Sequence, residues 1–339
     1  MDTSHLPPYV QALLDPTIFR HPATDPSLVQ THISYVILAG DYVYKFKKPV
    51  NFGFLDFSTL EKRRHCCEQE LLLNRRLCPE IYLGLVEVHR RGEGFSLSGP
   101  GEVVEYGIRM RRMPEERMMA RVLDRGELEK SHLDAIVDVL IPFYRQAERS
   151  GEIDAFGTAE AVGVNVFENF DQTRDFVDQG ALSKAQFDGI SAYAADFLKD
   201  TEKFTSRIRA GRIRDCHGDL YSANICLADK VYIYDCIEFN QRFRYSDVAS
   251  DIAFLAMDLD FHGQLELSAY LIDRFVRTSE DDTLVDMLDF YKCYRAYVRG
   301  KIGLFTAGDP AVDPAVKEAS LAAAGRYFRL AAGYAGIEG

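Results

Sequence analysis

The sequence predicts an α+β protein of two lobes, an antiparallel sheet with one helix followed by a mainly helical part. Two observations carry that prediction. Between Thr31 and Met113 lie several β-rich runs punctuated by glycines, with one long helix-like stretch among them. Beyond Pro114 apolar residues recur at three- and four-residue spacing through most of the chain. A length of 339 residues leaves room for both parts and a sizeable core. The boundary is drawn between residues 113 and 114, giving lobes at 1–113 and 114–339.

Taken in order, Leu6 to Pro16 reads as a short amphipathic helix, entered at Pro7-Pro8 and ended at Asp15-Pro16. THISYVILAGDYVYKFKKPV (31–50) then gives two β-rich runs around Ala39-Gly40-Asp41, a hairpin signal. The second run alternates, with Tyr42, Tyr44 and Phe46 on one face and Val43, Lys45 and Lys47 on the other. Lys47 adjoins Lys48 and Pro49, which places it at a strand end expected to fray. A helix is expected from Ser58 to Leu77, opened by a Ser-Thr-Leu-Glu capping box, with Leu71, Leu72 and Leu77 facing inward. Strands follow at Tyr82–Val88, Phe95–Leu97 and Val103–Met113, with turns at Gly92, Gly94, Gly99 and Gly101.

In the second part, Leu123–Leu128, His132–Ser150 and Lys184–Arg209 read as helices, and GVNVFENFDQTRDF (163–176) as a polar-aromatic segment without an assigned role. Four further helices are expected at Asp251–Asp260, Gln264–Ser279, Leu284–Phe305 and Ala315–Ala332. Lys292, Arg295 and Arg299 fall on one face of the third, where most such stripes are solvated or paired with acids. No internal repeat or low-complexity linker is evident.

The most informative stretch is CHGDLYSANICLADKVYIYDCIEFNQRFRYSDVASD (216–251). Asp219 and Asn224 are close enough in sequence for one loop to hold both, and Asp235 ends the short run Val231 to Tyr234, which a hairpin would fold back toward that loop. Carboxylate and amide oxygens are hard donors that suit magnesium better than zinc. One free carboxylate beside two metal ligands meets the needs of phosphoryl transfer, a base for the acceptor hydroxyl and magnesium on the phosphates. Singly these residues have ordinary readings: a helix cap for Asn224, a strand end for Asp235, a core histidine for His217. Their order and spacing together lift the functional reading above chance.

HGDLYSAN followed by an apolar strand and an aspartate resembles the catalytic and metal-binding loops of aminoglycoside phosphotransferases, choline kinases and related protein-kinase-like enzymes, over roughly residues 30 to 305. The bacterial aminoglycoside-phosphotransferase-like branch is the nearest resemblance. It implies a protein-kinase-like fold and an ATP-dependent phosphotransferase acting on a small molecule's hydroxyl group. On it, Asp219 is the catalytic base, with His217 beside it in the motif, and Asn224 and Asp235 hold magnesium. Asp251 braces the catalytic loop, with Asp247 as its competitor. Lys45 reaches the nucleotide phosphates, with Lys47 as runner-up, and Glu70 pairs with that lysine, with Glu68 as the alternative. Backbone groups at Arg112 to Pro114 meet the adenine, so Arg112 and Met113 join the nucleotide set. One departure is that no G-x-G-x-x-G precedes Lys45, which leaves THIS (31–34) or its neighbours to cover the phosphates. The resembling branch often carries a P-loop kinase domain after this one. The sequence to Gly339 has no G-x-x-x-x-G-K-[ST], which leaves open whether a separate P-loop kinase partner supplies that activity.

Composition excludes other classes. With 40 basic and 52 acidic residues the net charge is −12, which argues against nucleic acid and is compatible with a cationic small substrate. Hydrophobic residues at 47% and charged residues at 27% are those of an ordinary globular protein. Seven cysteines without a C-x-x-C pair read as reduced thiols of a cytoplasmic protein. No secretory signal or bilayer-length apolar run is visible, so no membrane partner is expected. A second hypothesis is a nucleotide-binding regulatory module without transfer activity, and the complete Asp219, Asn224, Asp235 set argues against it. A metal-dependent hydrolase lacks the clustered histidines such sites employ. The segment after Asp235 is too short for a regulated activation loop, which disfavours a protein substrate.

Overall fold

A computed structural model describes residues 6–310 and 312–337. Packing divides the chain into two units, residues 1–118 with 226–240, and residues 119–225 with 241–339. The sequence-based boundary at 113/114 assigned 226–240 to the helical part. In the structure this segment packs with the sheet instead, because Cys226 and Tyr232 lie in the same apolar cluster as Cys67, Tyr82 and Ile108.

The first unit opens with a short helix α1 (Pro8–Ala12) and a six-stranded antiparallel sheet: β1 (Ser27–Gln30), β2 (Ser34–Ala39), β3 (Tyr42–Lys47), β4 (Tyr82–Arg91), β5 (Gly94–Ser96) and β6 (Glu102–Arg111). Its spatial order is β1-β2-β3-β6-β4-β5. β1 was not expected, since Ser-Leu-Val-Gln is largely exposed and shows no apolar alternation. The β2–β3 hairpin turns at Gly40, whose φ is +58°; a Cβ there would lie 2.4 Å from the Pro22 carbonyl oxygen, so only glycine fits. Ile37, Ala39, Tyr44 and Phe46 pack on Tyr9, Val10 and Leu13 of the preceding segment. Phe46 in turn lies against β6 at Gly107, where a Cβ would come within 2.5 Å of its ring.

Helix α2 (Leu60–Asn74) is shorter than Ser58–Leu77 and is capped by Thr59, whose hydroxyl accepts from the Lys62 N–H, rather than by a Ser58 capping box. Ser58 is instead drawn to Asp56, which accepts from both its N–H and its hydroxyl. Leu72, expected inward, is 63% exposed, while Glu70 and Asn74 are buried. Burying two polar positions and exposing a leucine inverts the pattern that periodicity reads. Residues 225–233 form β8 (Ile225–Leu227) and β9 (Val231–Ile233), a two-stranded hairpin that lies, apart from Ile225, in the segment 226–240.

The second unit is helical: α3 (Met119–Asp124), α4 (Lys130–Gln146), α5 (Gly151–Asp154), α6 (Ala159–Thr173), α7 (Lys184–Phe197), α8 (Thr201–Arg209), α9 (Gln241–Arg244), α10 (Val248–Phe261), α11 (Leu265–Ser279), α12 (Leu288–Gly308) and α13 (Pro314–Tyr334). A small antiparallel pair, β7 (Ile213–Asp215) with β10 (Tyr245–Asp247), flanks the functional stretch. Three expectations change. The helix read at 123–128 starts at Met119 and ends at Asp124. The long helix at 184–209 breaks into α7 and α8, and the segment 163–176 is mostly helix, within α6. α10 is buried along nearly its whole length, Ser250, Asp251 and Asp258 included.

Candidate active site

In the first unit, β3 presents Lys45 and Lys47 to α2 because residues two apart on a strand share a face. Lys45 Nζ donates to Glu70 Oε1 at 2.8 Å and to Asp235 Oδ1 at 2.5 Å. Lys47 Nζ donates to the other oxygen of the same carboxylate, Glu70 Oε2, at 2.7 Å, and also to Glu238 Oε1. Glu68, the alternative to Glu70, faces outward and pairs with Arg64. The expectation of a fraying strand end at Lys47 does not hold: its side chain is 2% exposed, against 17% for Lys45, because two carboxylates receive its ammonium. Burial disfavours the ionised form of Glu70, yet the two lysines override it and hold its carboxyl down at about 2. Burial likewise works against charge on both lysines, and their acidic neighbours, Asp235 foremost for Lys45 and Glu238 for Lys47, keep them protonated. Glu238 is pushed up, chiefly by burial.

Asp235 sits at φ +63°, a left-handed backbone that turns its carboxylate off the end of β9. Its N–H donates to the Tyr82 hydroxyl at 3.2 Å, and the next N–H, of Cys236, to Asn74 Oδ1 at 2.9 Å. The side chain is 42% exposed. Of the residues expected at the adenine, Arg112 donates its N–H to the Asp41 carbonyl at 2.8 Å, so that group is committed, and Met113 packs against the Cys67–Tyr82 cluster. Thr31 and Ser34 close a turn on each other, Ser34 N–H to Thr31 Oγ1 at 2.9 Å.

In the second unit the loop His217–Asn224 is held by carboxylates acting on its backbone. Asp251, fully buried on α10, accepts from the His217 N–H at 2.8 Å, the Gly218 N–H at 3.0 Å and the Tyr144 hydroxyl at 3.0 Å. Asp247, its competitor in the sequence, instead caps α10 and receives the buried Arg207 guanidinium. His217 is buried and its Nδ1 accepts the Asp219 N–H at 3.2 Å. Asn224 donates Nδ2 to Asp219 Oδ2 at 2.9 Å and to the Asp219 carbonyl at 3.0 Å. That commits the amide nitrogen and leaves Oδ1 as the atom free to accept or to ligate.

Sequence reasoning missed three supports of this loop. Asp258, two turns beyond Asp251, accepts the Ser222 N–H at 2.9 Å. Arg295 donates to the Gly218 carbonyl at 3.0 Å, and the Arg299 guanidinium lies 4.7 Å from the Tyr221 ring centre. The basic stripe on α12 therefore faces inward, Lys292 pairing with Asp260 at 2.8 Å. Its three- and four-residue spacing was the available signal, and periodicity does not tell an inward polar face from an outward one.

All seven cysteines are buried thiols outside any disulfide, and burial pushes the Cys66 thiol up to about 11 and that of Cys67 to about 12. Among the described residues no helix is long and apolar enough to cross a membrane.

No protein-family model matches the chain. In structure it resembles the GDP complex of aminoglycoside 2'-phosphotransferase-IIIa, at a TM-score of 0.53 and 14% identity over 97% of this chain and 99% of that one. The GDP and kanamycin complex of APH(2")-IIia gives 0.55 and 14% over 93% and 96%. The chain has the fold of an aminoglycoside phosphotransferase. A microcompartment-associated aminopropanol kinase shares this protein-kinase-like fold, at a TM-score of 0.51 and 15% identity over 97% and 98%. In sequence, an uncharacterised protein of Mycobacterium tuberculosis is 36% identical over 304 residues, 87% of this chain, and one of Mycobacterium bovis matches equally. The chain spans 59% of the length of these curated relatives.

Proposed function

We propose that the protein is an ATP-dependent phosphotransferase acting on a hydroxyl group of a small molecule. The observation that carries this reading is Lys45, whose ammonium joins a helix glutamate to the aspartate after β9, at 2.8 and 2.5 Å. A lysine so placed is a fixed charge for nucleotide phosphates, and the glutamate keeps it from swinging away. The aminoglycoside-phosphotransferase fold and the HGDLYSAN loop support the same reading.

In this scheme Asp219 accepts the proton of the acceptor hydroxyl as its oxygen bonds to the γ-phosphorus of ATP, the bond from that phosphorus to the β–γ bridging oxygen breaks, and ADP leaves. Its carboxylate is oriented by Asn224 Nδ2, and its backbone by His217, which serves the shape of the loop. Asn224 Oδ1 and the Asp235 carboxylate are hard donors of the kind magnesium takes, and they are the residues that would hold it. When bound, magnesium would neutralise charge on the transferred phosphate. Lys45 would exchange its contact with Asp235 for the phosphates, which the half-open Asp235 side chain permits.

The test is a nucleotide titration, with ATP and with GTP, alongside a turnover screen over aminoglycosides, choline-like amines, amino alcohols and sugars. Magnesium-dependent nucleotide binding and phosphate transfer to one acceptor class are expected. Failure to bind either nucleotide in the presence of magnesium would overturn the reading.

A further inference from the structure

The role assigned to Lys45, Glu70 and Asp235 leaves a second buried lysine unexplained. Lys47 Nζ donates to Glu70 and to Glu238, and its own side chain and that of Glu238 are 2% and 6% exposed. The ammonium also lies 4.8 Å from the centre of the Phe57 ring. A chain of ion pairs results: Asp235, Lys45, one oxygen of Glu70, the other oxygen of Glu70, Lys47, Glu238. Its two halves are built in parallel. The lysines are neighbours on one strand face, and the two outer acids lie three residues apart on the segment after β9.

The halves differ in access. Lys45 and Asp235 are 17% and 42% exposed, so solvent and ligands reach them. The Lys47–Glu238 half is sealed. A sealed ion pair is a poor source of stability, because apolar residues of similar volume commonly serve as well or better. What such a pair supplies is direction. With Oε2 of Glu70 fixed by Lys47, the carboxylate plane cannot turn, and Oε1 stays aimed at Lys45. With Glu238 tied to the same ammonium, the segment carrying Asp235 is anchored at a second point, beyond the Asn74 and Tyr82 contacts at its start.

We propose that Lys47 and Glu238 form a positioning ion pair, which sets Glu70 and Asp235 for magnesium-nucleotide binding without touching the ligand. The proposal rests on the reading of Asp235 as a magnesium ligand, and groups that orient a metal ligand typically change metal affinity or activity by about 10- to 100-fold when removed.

The experiment compares wild type with Lys47→Met/Glu238→Leu, measuring melting temperature and ATP-analogue binding with magnesium and with EDTA. The expected result is a melting temperature equal to or above that of wild type, a smaller loss of nucleotide binding in EDTA through the Glu70–Lys45 contact, and magnesium-dependent binding weakened about 10- to 100-fold. Binding equal to wild type in both conditions would overturn the proposal. So would a parallel loss with and without magnesium, the mark of a merely structural role. Glu238→Gln keeps a hydrogen bond to Lys47 and serves if the double variant does not fold; a selective, smaller loss with magnesium is expected, and no loss would overturn the proposal. Wild type that binds nucleotide equally well with and without magnesium would instead sink the magnesium-site reading, and the proposal with it.

Discussion

The two clusters of candidate residues, one in each unit, are held by opposite means. Around Lys45 and Lys47 the structure is a network of side-chain charges, in which Glu70 meets lysines 25 and 23 positions before it, and those lysines meet acids 190 and 191 positions after themselves. Around Asp219 the loop is held by its backbone: carboxylates of α10 accept the N–H groups of His217, Gly218 and Ser222, and Arg295 holds the Gly218 carbonyl. A backbone-held loop can change a side chain and keep its shape. A charge network cannot lose a member without leaving another buried charge uncompensated. The first arrangement suits a base that must sit still while its proton state changes. The second suits groups whose own charges do the binding.

The largest expected effect exploits that difference. Asp219→Asn removes the proposed base while its amide oxygen still accepts from Asn224 and Asp251 still holds the loop. Turnover on an identified acceptor should fall by about 10² to 10⁴. Melting temperature and nucleotide affinity should stay close to wild type. A large drop in melting temperature would show that the loop depends on this carboxylate and would break the contrast.

Next comes Glu70→Ala, which takes one of two carboxylates from each lysine and leaves the other, Asp235 for Lys45 and Glu238 for Lys47, and should cost up to about 3–5 kcal/mol of folding stability by denaturant titration. The pH dependence has a definite sign. Because the folded state holds this carboxyl at about 2, below its usual 4.5, its contribution is complete above that usual value and is lost as pH falls toward about 2. The gap between wild type and variant should therefore narrow on acidification through that window. A gap independent of pH would mean the effect is a cavity rather than a lost charge.

The third is Asp251→Ala, which leaves two loop N–H groups and the Tyr144 hydroxyl without their acceptor, at roughly 1–3 kcal/mol for each group that water does not reach. Here stability and turnover should fall together, since the loop loses its brace, and hydrogen exchange at His217 and Gly218 should quicken selectively. Unchanged exchange at those amides would remove Asp251 from its bracing role.

Much of the fold was legible locally. Strand alternation gave β2 and β3 and their hairpin, helical spacing gave most helices of the second unit, and the turn glycines separated β4, β5 and β6. Both depend on short-range geometry: side-chain period within an element and backbone freedom at a turn. The residues of the HGDLYSAN loop, with Asp235 and Asp251, were legible as a motif because one short stretch carries them all. Tertiary structure alone decided the rest. Whether Lys47 frays or is sealed depends on Glu70 and Glu238 arriving from elsewhere in the chain. Whether the α12 stripe faces water or the loop depends on where α10 and Asp260 lie. The membership of 226–240 in the first unit follows from an apolar cluster assembled across more than 150 residues. Periodicity records that a face is polar; only packing decides whether water or a buried partner satisfies it, because the same charged side chain is stable in either place once it is paired.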